Sequence, residues 1–111
     1  MADVFKVLAQ SNPTAGTLTD VYTCASAGGA VPKLIVICNQ AKTPTTYRVS
    51  YAVAGAADTV KQYLDYDVPL SATGQPGSTH RLEIGPLANT DVIRVYTPSS
   101  QVSVNVLGME V

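Results

Sequence analysis

The chain has 111 residues, of which 46% are hydrophobic and 14% are charged, and its formal net charge is −1. This length is typical of a single domain, here residues 1–111, that can close a core without disulfides or metals. Seven basic residues scattered along the chain form no stripe for phosphates, and the longest apolar run, residues 34–38, is too short to span a bilayer, so neither nucleic acid nor membrane is an expected partner.

Short runs of Val, Ile, Thr and Tyr, separated by Gly, Pro, Asn and Ser, indicate strands and turns in the first half of the chain. Residues 33–38 are apolar on both faces, which predicts a central strand covered from two sides. In the next strand Tyr47, Val49, Tyr51 and Val53 share the packed face, and the other face is expected to be exposed. The predicted strands are residues 4–9, 19–25, 33–40 and 45–53.

The second half begins with residues 54–64, which we interpret as a loop leading into a strand near Tyr63. Pro69 marks the strand over residues 66–70 as an edge strand, and residues 74–77 form a broad turn. Three strands follow at residues 78–84, 92–97 and 101–107, the last with Val102, Val104 and Val106 facing inward.

Seven or eight strands recur about every ten residues with turn signals between them, which predicts an all-β fold. The expected architecture is an antiparallel β-sandwich of the jelly-roll or immunoglobulin-like kind. A small closed β-barrel is the alternative.

His80 is the one histidine and therefore the one imidazole base available for nucleophilic catalysis. It shares the inward parity of Leu82 and Ile84 but follows a Gly/Pro turn, which favours a half-exposed histidine at a strand end. No catalytic residue is assigned, and the chain is expected not to be an enzyme.

Metal and cofactor sites are also not expected. Cys24, Cys38 and a single histidine cannot supply four zinc ligands, so both cysteines are expected to be thiols, with Cys38 a small buried hydrophobe. A bridge between them is the alternative. Asp65 and Asp67 share a face by strand alternation, but without a third acid they indicate two solvated carboxylates rather than a calcium site.

The exterior is expected to be polar but poor in charge, which is typical of surfaces that pack against a neighbour. Because the core must use nearly all of the apolar residues, little should remain for an apolar display face. Asp20 and Asp91 precede apolar strands and are interpreted as turn residues that bond local backbone amides. Exposed tyrosines lie more often at protein interfaces than at sugar-binding sites. The expected surface tyrosines are Tyr22, Tyr63, Tyr66 and Tyr96.

Three stretches, residues 6–25, 34–70 and 87–111, carry a set of strand motifs. These are Lys-Val-Leu at 6–8, Asp-Val-Tyr-Thr at 20–23, Ile-Cys-Asn at 37–39, Tyr-Leu-Asp-Tyr-Asp at 63–67 and Asp-Val-Ile-Arg-Val-Tyr at 91–96. With them the chain resembles small β-sandwich structural proteins of tailed bacteriophages, including cyanophages. Cys24 departs from that pattern, which has a small or apolar residue other than cysteine there.

The resemblance implies a virion protein made in the host cytoplasm. Synthesis in a cytoplasm is also expected because the N-terminus lacks the features of a signal peptide. It implies a capsid decoration or cement protein, or alternatively a component of the neck, tail or baseplate. A homo-oligomer in contact with the major capsid protein or other virion proteins is expected, joined through unpaired edge strands. The expected edges are the first strand and the last, residues 101–107.

A tail-fibre module that binds a receptor or glycan is the other alternative, with surface tyrosines and the loops at residues 71–77 and 85–90 as its contact region. For the structural and the receptor-binding hypotheses taken together, the candidate interface residues are Val4, Lys6, Leu8, Tyr22, Tyr66, Tyr96, Ser103, Asn105 and Leu107.

Overall fold

The computed structural model describes residues 4–83 and 85–111, with the backbone alone for Val4. The predicted inward position of Ile84 therefore lies outside the described residues. Within them are two short 3₁₀ turns, Val53–Gly55 and Val60–Gln62, and eight strands. The strands are β1 (Val4–Ser11), β2 (Thr19–Thr23), β3 (Ala30–Asn39), β4 (Thr45–Ala52), β5 (Tyr63–Leu70), β6 (Thr79–Leu82), β7 (Val92–Tyr96) and β8 (Val102–Glu110).

The strands form two four-stranded antiparallel sheets. Sheet A has the order β1-β8-β3-β6 and sheet B the order β2-β7-β4-β5. This order is that of the eight-stranded jelly roll. The predicted sandwich is confirmed, and the alternative of a closed barrel is wrong because the sheets stay separate.

The core lies between the inner faces of the two sheets, where strand alternation collects the apolar side chains. Val102, Val104 and Val106 of β8 are fully buried, as predicted, opposite fully buried Ile93 and Val95 of β7. Ile35, Ile37, Tyr47 and Val49 complete the centre of this layer. Burying each such aliphatic side chain contributes about 1.5–3 kcal/mol, so the core holds the sheets together.

The second face of β4 departs from the prediction that it is exposed. Ser50 and Ala52 are fully buried, because the segment after β4 folds back across the outer face of sheet B. Arg94 on that face donates to the carbonyl oxygens of Ala56 at 2.7 Å and Gly55 at 3.2 Å. The packed face of β4 ends early for the same reason: Val53 has left the strand and is 70% exposed.

The prediction of the edge strands is correct for the first strand and wrong for the last. β1 is an edge of sheet A, as predicted, whereas β8 lies between β1 and β3 and pairs with both. The prediction that the last strand is an edge is therefore wrong. β5, which carries Pro69, is an edge of sheet B, as expected for a strand that contains proline.

β3 is central in sheet A, as predicted, but only one of its faces is covered. Ile35 and Ile37 are fully buried on the inner face, whereas Leu34, Val36 and Cys38 on the outer face are only partly buried. The prediction of a strand covered from two sides is wrong. The second apolar face of β3 lies on the outside of the molecule.

Candidate interaction surfaces

One side of the sandwich, between the edge strands β5 and β6, is bridged by a buried tyrosine hydroxyl. Tyr47 donates to Asp65 Oδ2 at 2.6 Å, and its oxygen lies 3.2 Å from His80 Nδ1. Since the phenolic proton is used for Asp65, Nδ1 of His80 is the donor to the phenolic oxygen. Burial, together with the bond to Asp65, raises the pKa of Tyr47 far above its ordinary value, so the hydroxyl stays neutral.

His80 thus links the two sheets and faces inward opposite Ile37, half-buried as predicted for a strand-end histidine. Its ring meets that of Tyr47 edge to face, with 5.5 Å between the centroids. A neutral tyrosine with a raised pKa is a poor nucleophile, so this arrangement is suited to holding sheets together.

The opposite side of the sandwich, between the edge strands β1 and β2, is closed in a similar way. Tyr22 donates to Glu110 Oε2 at 2.8 Å, and Lys6 Nζ forms an ion pair with Glu110 Oε1 at 2.5 Å. The hydrogen bonds from Lys6 and then Tyr22 lower the pKa of Glu110. Tyr22 is only 8% exposed, so its prediction as a surface tyrosine is wrong.

The pairing of β1 and β2 explains why two of the candidate residues face inward. A bulge between Asp20 and Tyr22 breaks the alternation of β2 and turns the tyrosine to the core. In β1, ordinary alternation after outward-facing Val7 turns Leu8 to the core, and a bulge between Val7 and Ala9 brings Ala9 to the same side. Leu8 and Tyr22 are therefore core-facing residues, contrary to their assignment as interface candidates.

The carboxylates were also only partly predicted. Asp67 adopts a positive φ of 53° at an irregularity in the pairing of β4 with β5, so its carboxylate meets Arg48 while that of Asp65 meets Tyr47. The expectation that Asp65 and Asp67 share a face is wrong. In residues 4–83 and 85–111 no group of three or more His, Cys, Asp or Glu side chains could hold a metal.

Asp20 and Asp91 have different outcomes. Asp91 accepts from the backbone amide of Ala88 at 3.0 Å, which confirms its predicted bond to a local amide, and it also accepts from the sequence-distant amide of Ala54 at 2.9 Å. Asp20 instead forms an ion pair with Arg94, with 2.8 Å between Oδ1 and Nε, so its predicted role is wrong.

Both cysteines are free thiols, as expected, but the prediction that Cys38 is buried is wrong. Cys24 is 1% exposed and belongs to the core, where it acts as a small hydrophobe. Cys38, which was expected to be buried, lies on the outer face of sheet A and is partly exposed, so the alternative of a bridge between them is wrong in this structure.

The outer face of sheet B carries a tyrosine cluster, which we define as Arg48, Tyr63, Tyr66 and Tyr96. The Arg48 guanidinium lies 4.1 Å from the Tyr66 ring centroid and 4.6 Å from that of Tyr96. Its Nε donates to Asp67 at 2.6 Å, and this bond raises the pKa of Arg48. Tyr66 is 57% exposed, beside a depression of about 530 Å³ that Asp58, Thr59 and Val60 also line. Tyr66 and Tyr96, both predicted to be surface residues, thus belong to the same tyrosine cluster.

The outer face of sheet A carries exposed apolar side chains on three neighbouring strands. Cross-strand pairing places Phe5 beside Met109, and Leu107 between Val7 and Leu34. Phe5 is 79% exposed, Val7 50% and Val31 42%. We define the apolar face as Phe5, Val7, Val31, Leu34, Val36, Leu107 and Met109. The expectation that little apolar surface would remain is wrong.

The apolar face surrounds a depression of about 510 Å³ with charged residues at its rim. Its apolar lining is Phe5, Val7, Leu34 and Leu107, and its charged lining residues are Lys6, Lys33 and Glu83. Of the interface candidates in β8, Leu107 belongs to this face, and Asn105 and Ser103 continue it opposite Val36 and Cys38.

The remaining candidates lie elsewhere. Val4 begins β1, and Lys6 is engaged with Glu110. The loops at residues 71–77 and 85–90 lie at opposite ends of the sandwich: Thr73 bonds to Ala41, just beyond the end of β3, while Leu87 bonds to Ala30 at its start. The prediction that these two loops form a single contact region is wrong.

Comparison with protein-family models, with curated proteins and with solved structures found no match to this chain. Within the described residues no helix has the length and apolar character needed to cross a membrane. The geometry of the two outer faces is therefore the main guide to function.

Proposed function

We propose that this chain is a non-enzymatic structural protein of a bacteriophage virion, a capsid decoration or cement protein that works as an oligomer through surface contacts. The observation that carries the proposal is the apolar face of sheet A, whose Phe5 is 79% exposed. Exposed apolar patches of this kind are typical of surfaces that contact another molecule, which supports a role that depends on such a contact. Its position on a rigid, hydrogen-bonded sheet suits a contact that must be the same in every copy.

Two further features support the proposal. The jelly roll is an architecture that viral capsid domains use, which is a fold-level analogy. The strand motifs, from Lys-Val-Leu at residues 6–8 to Asp-Val-Ile-Arg-Val-Tyr at 91–96, resemble those of small phage structural proteins. A position in the neck, tail or baseplate is the alternative within the same class.

Mass spectrometry of purified particles of the encoding phage tests the proposal. The chain should be present in a fixed ratio to the major capsid protein, and particles without it should lose genome at a lower temperature than complete ones. Absence of the chain from purified particles would overturn the proposal. Presence in tail fractions alone would move it from the capsid to the tail.

A second function, glycan binding, is favoured by the tyrosine cluster. Tyr66 presents an exposed ring beside the depression of about 530 Å³, whose lining also includes Asp58 and Thr59 as hydrogen-bonding groups. Aromatic faces stack on sugars, and jelly rolls also serve as lectin domains. A glycan array separates the two functions: binding that is lost in Tyr66→Ala and kept in Tyr66→Phe supports glycan recognition, and an array without binding removes it.

A further inference from the structure

We propose that the tyrosine cluster and the loop beside it bind sugar rings that carry no acidic group, and that Asp58 is the residue that discriminates against acidic sugars. The inference rests on the second proposed function, glycan binding, because it names the class of sugar that this site takes. Three observations carry it: an exposed aromatic ring in a fixed position, a fixed loop next to that ring, and the negative charge that the loop presents.

The ring of Tyr66 is held in place without being covered. The Arg48 guanidinium lies 4.1 Å from its centroid, and the Tyr63 ring meets it edge to face with 5.0 Å between the two centroids. Tyr66 is nevertheless 57% exposed, and it lines the depression of about 530 Å³. That volume falls in the range of about 300–1,000 Å³ for small-molecule sites, which is sufficient for a single sugar ring. Because the aromatic ring is fixed before binding, a sugar that stacks on it costs little side-chain entropy.

The loop that forms another wall of the depression is fixed as well. Asp58 and Thr59 line the depression from this loop. The Gln62 side chain donates to the carbonyl oxygen of Ala57 at 2.9 Å and accepts from the amide of Thr59 at 3.4 Å, so its bonds lie on both sides of Asp58. Arg94 holds the preceding residues through two backbone carbonyl oxygens. A carboxylate and a hydroxyl are thus available on a preorganised backbone for the hydroxyl groups of a sugar.

The charges around the depression disfavour an acidic sugar. Arg48 is already paired with Asp67, whose carboxylate accepts from Nε at 2.6 Å and from Nη2 at 3.3 Å. Asp58 is exposed and takes part in no ion pair within the described part of the chain. Burial, and then the Asp58 carboxylate, raise the pKa of Tyr63, so this charge acts on the aromatic side of the depression. A ligand carboxylate about 4 Å from Asp58 would bind roughly fivefold more weakly than an uncharged group at low ionic strength.

Saturation-transfer NMR titrations of the full chain with matched pairs of sugars test the proposal. The probes are the methyl glycosides of glucose, galactose and mannose, each paired with the uronic acid glycoside in which a carboxylate replaces the hydroxymethyl group. At least one neutral glycoside should bind, and its acidic counterpart should bind roughly fivefold more weakly at low salt. The difference should narrow in about 1 M salt, where the Debye length is about 3 Å.

Variants locate the source of the discrimination. Asp58→Asn removes the charge and keeps hydrogen-bonding groups, so it should bring the acidic glycoside to within about twofold of the neutral one. Glu83→Gln is the matched control, because it removes the same charge from an exposed side chain beside the apolar face, and it should leave the difference unchanged. Tyr66→Ala should abolish binding of both members of the pair. Circular dichroism verifies that each variant keeps its fold.

The outcomes separate this inference from the function on which it rests. A neutral glycoside that binds no better than its acidic counterpart, or a difference that Asp58→Asn leaves intact, would overturn the inference and leave glycan binding standing. Binding that Tyr66→Ala leaves unchanged would overturn the site. If no glycoside of the set binds, glycan binding is overturned and this inference with it.

Discussion

Replacing Tyr47 by Phe removes one oxygen from the β5 and β6 side of the sandwich and leaves the buried ring in place. The lost hydrogen bond to the Asp65 carboxylate is of the charged type, worth about 1.5–3 kcal/mol, and the contact with His80 is a weaker addition. Asp65 is only partly buried, so water can replace part of the loss. We therefore expect the free energy of unfolding to fall by about 1.5–2 kcal/mol.

Urea unfolding at neutral pH measures this loss, and thermal unfolding gives an independent value. An unfolding entropy of about 2.1 cal/mol/K per residue over a chain of this length converts the loss to a fall in Tm of roughly 6–9 °C. Tyr66→Phe is the matched control: Tyr66 is 57% exposed and keeps its ring against Arg48, so its effect should stay within about 0.5 kcal/mol.

A double-mutant cycle that combines Tyr47→Phe with Asp65→Asn isolates the bond between the two side chains. The coupling energy should be about 1 kcal/mol or more. If Tyr47→Phe is no more disruptive than Tyr66→Phe, or if the coupling energy is zero, the hydroxyl does not bridge this side of the sandwich and the reasoning is refuted.

Three other variants test other parts of the structure by equilibrium unfolding. Because folding lowers the pKa of Glu110, this carboxylate should stabilise the fold fully above its unfolded pKa of about 4.3. That contribution to the free energy of unfolding should disappear as pH falls through the folded pKa. A difference in stability between wild type and Glu110→Gln that is constant from about pH 3 to 7 would contradict this. Gly108→Ala should cost about 1–3 kcal/mol, because a Cβ there would lie 2.6 Å from the Cα of Pro32, whereas Gly85→Ala meets open space and should be nearly neutral; equal effects would exclude the clash. Ser50→Ala should leave the free energy of unfolding unchanged or raise it by up to about 1 kcal/mol, because the buried Ser50 Oγ has no hydrogen-bond partner among the described residues. A clear loss of stability would mean that the hydroxyl does have a hydrogen-bond partner.

The inner layer of the sandwich could be predicted from the sequence because its burial has a period of two. Val102, Val104 and Val106 alternate with polar residues, and Tyr47 and Val49 do the same in β4. Where this period continues without interruption, the assigned faces were correct. Turn residues between the runs were sufficient to count the strands.

The failures occur where one residue breaks that period. The bulge before Tyr22 and the left-handed backbone at Asp67 each change which face the side chains occupy, and the bulge after Val7 turns Ala9 to the inner face. None of these positions is a glycine, so no residue signals the break. The order of the strands was also inaccessible, because pairing of the last strand with the first is a long-range contact that the local pattern does not encode.

The apolar face was missed for a different reason. Leu34 and Val36 were recognised as a second apolar face of β3, and such strands are commonly covered on both sides within one chain. In this molecule the second face is open, and Phe5 and Val7 extend it from the neighbouring edge of the sheet. The sequence pattern therefore predicted the apolar character of this face but not that it is open in the single chain.

Hydroxyl-radical footprinting tests most directly whether the apolar face is covered by protein in the working assembly. Oxidation of Phe5 and Met109 would be compared between dilute monomer and the assembled form, with exposed Tyr66 on the opposite face as the internal reference. We expect oxidation of Phe5 and Met109 to fall several-fold on assembly while that of Tyr66 stays the same. Equal oxidation of Phe5 in both forms would contradict the role assigned to this face.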